Sequence, residues 1–169
     1  IRKNDFRLID NYLKKIENFS QSDRFNSAIH ESLKQYVYVF KEKKISKNKK
    51  NFGKLSIISE AFQKCYLGDN DTGIYFSNLI NDVNTDYTRY IYFYISYLVE
   101  NNRVEEAKKI LEDFNYINTT LLISRGKNWV ESGNADKFTK VFSCKNPKDV
   151  ISEFLFLISN LYSSQDNFE

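Results

Sequence analysis

Apolar residues recur along this chain at the spacing of amphipathic helices. Successive apolar positions lie three or four residues apart, as Ile9, Leu13 and Ile16 do, which places them on one face of a helix. The pattern covers segments 6–16, 25–40, 91–98 and 104–114. Residues 36–40 are rich in β-branched and aromatic side chains, which suits a strand, but they belong to a longer helical pattern. The sequence therefore predicts an all-α protein.

Helix ends are marked by short polar breaks. Asn146 and Pro147 predict a helix start, because proline lacks the N–H that the first turn leaves unused. Asn102 has the side chain of an N-cap, and Gly68 and Gly133 are typical of turns. Helices joined by such short connections lie antiparallel to their neighbours.

Composition excludes several classes of protein. The 169 residues include 5 Gly and 1 Pro, too few for a collagen-like or low-complexity chain. Aromatic residues make up 16%, which argues against disorder, and the longest apolar run, 91–98, is too short for a membrane span. The chain has no Met and no signal-peptide pattern at its start, so we expect a fragment of a longer protein.

Residues 97–111 end one helix, pass through a polar turn and begin the next helix at Glu105-Glu106-Ala107. This stretch resembles the tetratricopeptide repeat, a helix–turn–helix unit of about 34 residues. Positions equivalent to Ala107 are Ala28, Gly73 and Phe138. These four residues serve as anchors for aligning the repeats. Twelve residues before each anchor, close helix contact favours a small side chain, and the chain has Ile16, Ala61, Ile95 and Gly126 there.

The resemblance implies a right-handed α-solenoid of antiparallel helix hairpins, with about seven helices in a single array. The expected hairpins cover about 4–44, 53–82, 85–116 and 119–144, with a Lys-rich insertion at 41–52. Residues 147–169 would form a half-unit. Because half a hairpin leaves an apolar stacking face uncovered, we expect more repeats in the natural protein and self-association of the fragment through this end.

Catalytic and metal-binding patterns are weak. The five glycines stand singly, so the sequence has no phosphate-binding loop. His30, the only histidine, is interpreted as a half-exposed helix residue, and Cys65 and Cys144 as free thiols. Residues 69–73 begin like a calcium loop, but the glycine and the closing acid are misplaced. We predict no catalytic residue, no metal site and no cofactor.

The net charge of +3 is concentrated in one segment, since residues 41–50 hold six Lys against one Glu. Sequence-independent contacts with phosphates are one interpretation of this basic patch. A solvated loop in a protein from an A/T-rich genome is favoured, because arginine and interleaved aromatic residues are missing. The lysines concerned are Lys41, Lys43, Lys44, Lys47, Lys49 and Lys50.

In the tetratricopeptide family the first helices of the hairpins line a concave face that binds peptides or partner helices. Carrying this over implies a contact surface rich in Tyr and Arg, the residue types typical of binding hot spots. Its residues would be Phe62, Tyr66, Arg89, Tyr92, Phe93, Ser96, Lys127, Glu131, Phe156 and Asn160.

The predicted function is a non-catalytic protein–protein interaction scaffold that binds a protein or peptide partner in this groove. The alternative is binding of nucleic acid or an anionic surface through residues 41–50, with nucleic acid disfavoured. An enzyme would need residues outside this segment. The compartment stays open: cytoplasmic if no signal was lost upstream, with a periplasmic or membrane-associated full-length protein as the alternatives.

Overall fold

The computed structural model describes residues 6–20, 23–47, 50–81, 88–113 and 121–164, and every regular element in these ranges is a helix. The all-α prediction is therefore confirmed for the described part of the chain. That part contains nine helices instead of about seven. They are α1 (Phe6–Ser20), α2 (Arg24–Glu42), α3 (Lys54–Leu67), α4 (Thr72–Ile80), α5 (Thr88–Glu100), α6 (Val104–Asp113), α7 (Leu121–Glu131), α8 (Lys137–Val141) and α9 (Pro147–Ser164).

Several helix ends follow the local chemistry of the sequence. Pro147 is the first residue of α9, as predicted. The Asp23 carboxylate caps α2 by accepting a hydrogen bond of 2.8 Å from the backbone N–H of Asn26. Gly68 ends α3 with a φ of 68°, a left-handed conformation that glycine adopts without steric cost. Asn102 is also left-handed, with a φ of 60°, and α6 begins at Val104, so Asn102 forms the turn and does not cap the helix.

The chain divides into two compact units. The first comprises Ile1–Gly68 and Pro147–Glu169, and the second comprises Asp69–Asn146. The sequence predicted one array, and its expected hairpin at 53–82 spans the boundary between the two units. Each unit is therefore described by itself.

Helix α2 forms the centre of the first unit and packs against α1, α3 and α9. The ring of Tyr36, on α2, lies 5.3 Å from the ring of Phe154 on α9. Val39 and Phe40 on α2 are also buried. Tyr162, near the end of α9, donates a hydrogen bond of 2.9 Å to the side-chain oxygen of Asn26.

The packing of α9 differs from that expected of a half-unit at the end of an array. This helix packs against α2 and α3, which are far away in sequence. Its apolar residues Val150, Phe154 and Ile158 are buried. The face of α9 that carries these three residues is thus covered within the unit, while Leu155, Phe156 and Tyr162 on the same helix are exposed. Self-association through this end stays a prediction.

The second unit is organised around α5, which packs against α4, α6, α7 and α8. Residues 90–99 are buried without interruption. Helix α6 also packs against α7, and α7 against α8. The Ser96 hydroxyl donates a hydrogen bond of 2.7 Å to the Phe142 carbonyl oxygen, so even the polar position of α5 is used in the core.

A glycine makes the contact between α7 and α8. Gly126 is buried, and a Cβ at this position would lie 2.6 Å from Cζ of Phe138. The sequence analysis placed Gly126 at a position of close helix contact with Phe138 as its anchor, and the structure shows this contact. In the preceding pair, the larger Ile95 and the smaller Ala107 are both fully buried.

Candidate partner-binding surfaces

Four residues of the predicted contact surface belong to the core. The exposed fraction is 1% for Phe62, 0% for Tyr92, 3% for Phe93 and 2% for Ser96. In the second unit, the ring of Tyr92 lies 5.0 Å from that of Phe138, and Phe93 lies 4.4 Å from Phe142. The prediction that these four side chains face a partner is wrong, because neighbouring side chains already cover them.

The other predicted contact residues of the second unit are at least partly exposed. The Lys127 ammonium lies 3.9 Å from the Glu131 carboxylate, one turn further along α7. Arg89 is exposed, and its guanidinium lies 5.3 Å from the centre of the Phe93 ring. Arg89 thus lies over a buried ring and Lys127 pairs with Glu131, so these charged groups do not form an aromatic contact surface.

In the first unit the remaining predicted residues are Tyr66, Phe156 and Asn160. Phe156 and Asn160 are exposed on α9. Tyr66 is half-buried, and its ring lies 4.8 Å from the ring of Phe40. These positions are available to a partner, and nothing in the structure identifies one.

Two lysines of the basic patch are engaged with their own unit. Lys41 lies 3.6 Å from the carboxylate of Asp10 on α1. Lys43 ends α2 in a left-handed conformation, donates a hydrogen bond to the Tyr66 hydroxyl and lies 4.4 Å from the centre of that ring. A cation over an aromatic face gains electrostatic energy, so Lys43 has a structural role.

Lys44, Lys47 and Lys50 are exposed. Lys49 lies outside the described residues. The patch is thus a set of separate exposed cations beside two paired ones, which fits the solvated-loop interpretation.

An exposed apolar stripe on α1 was missed by the sequence analysis. Leu8, Tyr12 and Ile16 are 49%, 59% and 40% exposed. They follow one another at four-residue intervals, so they lie along one side of the helix. Ile9 and Leu13 on the adjoining side are half-buried, and α2 is the helix against which α1 packs. The apolar arc of α1 is wider than α2 covers, which was the available signal in the sequence.

His30 and the two cysteines differ from their predicted states. His30 is buried, and its Nε2 lies 3.0 Å from the backbone carbonyl oxygen of Leu13, so the ring links α2 to α1. Neither Cys65 nor Cys144 is a free thiol. Within the described ranges, His, Cys, Asp and Glu do not gather in groups of three that could hold a metal ion.

Two tyrosine hydroxyls are buried in the units. Burial raises the pKa of Tyr36 and of Tyr92 far above the ordinary value of 10.0. The Tyr92 hydroxyl also has no hydrogen-bond partner among the described residues. These two phenols are therefore held in the neutral form.

Carboxylates on the helix surfaces are paired locally. The Arg103 guanidinium donates two hydrogen bonds to Glu106, of 2.6 and 2.7 Å, and this lowers the pKa of that carboxyl. Lys140 likewise lowers the pKa of Asp136. Glu105 pairs with Lys108, so these acids form ordinary helix-surface ion pairs.

No family model, curated protein or solved structure matches this chain. None of the helices described here combines the length and the apolar character needed to cross a bilayer.

Proposed function

We propose that this chain is a non-catalytic protein-interaction module built from tetratricopeptide-like helix hairpins. The exposed apolar stripe of α1 (Leu8, Tyr12 and Ile16) is the observation that carries the proposal. An amphipathic helix of a protein partner docks along it.

The packing within the second unit supports the repeat character. In chain order α5 packs against α6, α6 against α7 and α7 against α8, and α5 also packs against α7 and α8. The contacts between successive helices are typical of stacked hairpins. The close contact of Gly126 with Phe138 lies at a position equivalent to the one where repeats of this family bring two helices together. A right-handed solenoid arrangement of such hairpins is part of the proposal.

The chemistry of the α1 stripe suits a helix. Three large side chains at four-residue intervals match the spacing of anchor positions on an amphipathic partner helix. Full burial of such a side chain is worth about 1.5–3 kcal/mol. Because each is already half covered, a partner gains about 1 kcal/mol from each of the three.

His30 and the two cysteines, which could serve catalysis, are engaged within the protein, which also supports the proposal. The Nε2 atom of His30 is hydrogen-bonded to the backbone of α1. Neither cysteine is available as a thiolate nucleophile.

A photo-crosslinking residue placed at position 12 of the natural protein, in its own cells, tests the proposal. Ile74 on α4 is the matched control, since it has the same exposed fraction of 59%. We expect a covalent protein adduct from position 12 and none from position 74. Leu8→Gln combined with Ile16→Gln should reduce the adduct about tenfold or more while leaving helix content unchanged. Equal adducts from both positions, or no adduct at position 12, would contradict the proposal.

The alternative function rests on the exposed Lys44, Lys47 and Lys50 of the basic patch. If Lys44, Lys47 and Lys50 bind phosphates, replacing all three by Gln abolishes binding to a polyanion such as heparin. The affinity of the parent chain would then fall steeply between 50 and 200 mM salt, as expected of counterion release. Binding through the α1 stripe would be nearly independent of salt.

A further inference from the structure

A cavity in the first unit has an apolar floor and a cationic rim. Its volume is about 490 Å³, within the range of ~300–1,000 Å³ that small-molecule sites occupy. Residues from α2, from the start of α3 and from α9 line it. The apolar lining consists of Phe25, Ala28, Phe52, Leu55 and Leu161, and the charged lining of Arg24 and Lys54.

The charged residues that the structure describes at this cavity are all of one sign. Neither Asp nor Glu occurs among the described residues that line it. Arg24 is exposed and forms no ion pair with any described residue. Asp23, the nearest acid in sequence, uses its carboxylate to accept hydrogen bonds from the backbone and side chain of Asn26. The rim therefore presents the Arg24 guanidinium to whatever enters.

The backbone dipole of α3 adds to this positive potential. Lys54 is the first residue of α3, whereas the N-terminus of α2, which begins at Arg24, is capped by the Asp23 carboxylate. The N-terminus of a helix carries a partial positive charge of about half an elementary unit. The residue before α3 is Gly53, which has no side chain with which to cap that helix.

A second cavity in the same unit is lined by charges of both signs. It lies between α1 and α2, and its volume is about 310 Å³. Its lining includes the acids Asp10, Glu17 and Glu42 together with three lysines. Balanced charges give it no preference for an anion, so the feature that singles out the first cavity is charge, not size alone.

We propose that the cavity lined by Arg24, Lys54 and the five apolar residues binds a single-chain carboxylate amphiphile. The carboxylate pairs with the Arg24 guanidinium, which offers two parallel N–H donors. The alkyl tail lies against the rings of Phe25 and Phe52 and against Leu55 and Leu161. This site is independent of the α1 stripe.

Titration calorimetry with sodium dodecanoate below its critical micelle concentration tests the proposal. We expect saturable binding of one molecule per chain. Decanoate should bind about tenfold more weakly, because each methylene contributes a factor of about three to four. Dodecyltrimethylammonium, which has the same tail and the opposite charge, and acetate, which has the head alone, should not bind at this site.

Variants locate the site. Arg24→Gln should weaken dodecanoate binding about tenfold or more, and Arg125→Gln, at an exposed arginine of α7, should leave it unchanged. Ala28→Leu should block the tail by filling the cavity. Because Arg24 is exposed, Arg24→Gln should fold like the parent chain and leave the circular dichroism spectrum unchanged. This variant therefore tests the site even if Ala28→Leu fails to fold.

Three results would overturn the proposal. One is dodecanoate binding that Arg24→Gln leaves unaltered, and another is equally strong binding of dodecyltrimethylammonium. The third is a dimer, seen by sedimentation velocity, that Arg24→Gln dissociates, since the occupant would then be a second copy of the chain.

Discussion

Replacing Gly126 by Ala tests the packing at the centre of the second unit. A Cβ at this position would lie 2.6 Å from Cζ and 2.9 Å from Cε1 of Phe138, closer than carbon atoms approach without repulsion. The Phe138 ring cannot easily move away, because it is fully buried and lies 5.0 Å from the Tyr92 ring and 5.4 Å from the Trp129 ring.

Two effects of opposite sign decide how much Gly126→Ala changes the free energy of unfolding. Ala in a helix interior is favoured over Gly by roughly 0.5–1 kcal/mol. An extra carbon in a well-packed core costs roughly 1–3 kcal/mol. Overpacking prevails here because the nearest atoms belong to a confined ring, so we expect Gly126→Ala to lower the free energy of unfolding by about 1–2 kcal/mol.

Urea unfolding followed by Trp129 fluorescence measures this change, since Trp129 is the only tryptophan in the chain and lies against Phe138. Ser124→Ala, at an exposed position of the same helix, introduces Ala without the clash and should be neutral or stabilising. Phe138→Leu opens space, so the double variant should be more stable than the two single losses predict, by about 1 kcal/mol or more. A Gly126→Ala variant as stable as the parent chain, or the absence of coupling with Phe138→Leu, would refute the reasoning.

Three further predictions concern buried polar groups. Tyr92→Phe should raise the free energy of unfolding by about 1 kcal/mol, because it removes a buried hydroxyl that has no described partner; lower stability in urea unfolding would contradict this. Because burial raises the pKa of Tyr36 and Tyr92, the unfolded chain loses these protons at a lower pH than the folded chain, so their contribution to the free energy of unfolding is fully present below pH ~10 and is lost as the pH rises further. Absorbance at 295 nm should show two tyrosinates that form only as the circular dichroism signal of the folded chain disappears. Formation of these tyrosinates while the chain is still folded would contradict the burial of the two hydroxyls. His30→Ala should destabilise the packing of α1 by about 1 kcal/mol, because it removes the hydrogen bond to the Leu13 carbonyl oxygen. Hydrogen exchange of the α1 amides should become faster, with little change in α5 to α8, and unchanged exchange in α1 would show that the bond is not stabilising.

Local chemistry in the sequence was sufficient for the helices and some of their ends. Apolar spacing identified the amphipathic segments, and Pro147 marked the start of α9 because its ring suits only the first turn of a helix. The small residue at Gly126 also indicated a close contact, since a missing side chain lets two helices approach. These features depend on neighbours within one or two turns, which the sequence shows directly.

Only the tertiary structure decided which side chains are exposed. Four helices surround α5, so Tyr92, Phe93 and Ser96 are buried although the resemblance placed them on an open face. Helix α9 packs against α2 and α3, and the apolar arc of α1 is left half covered. Burial depends on which distant segments meet, and periodicity within one helix carries no information about its partners.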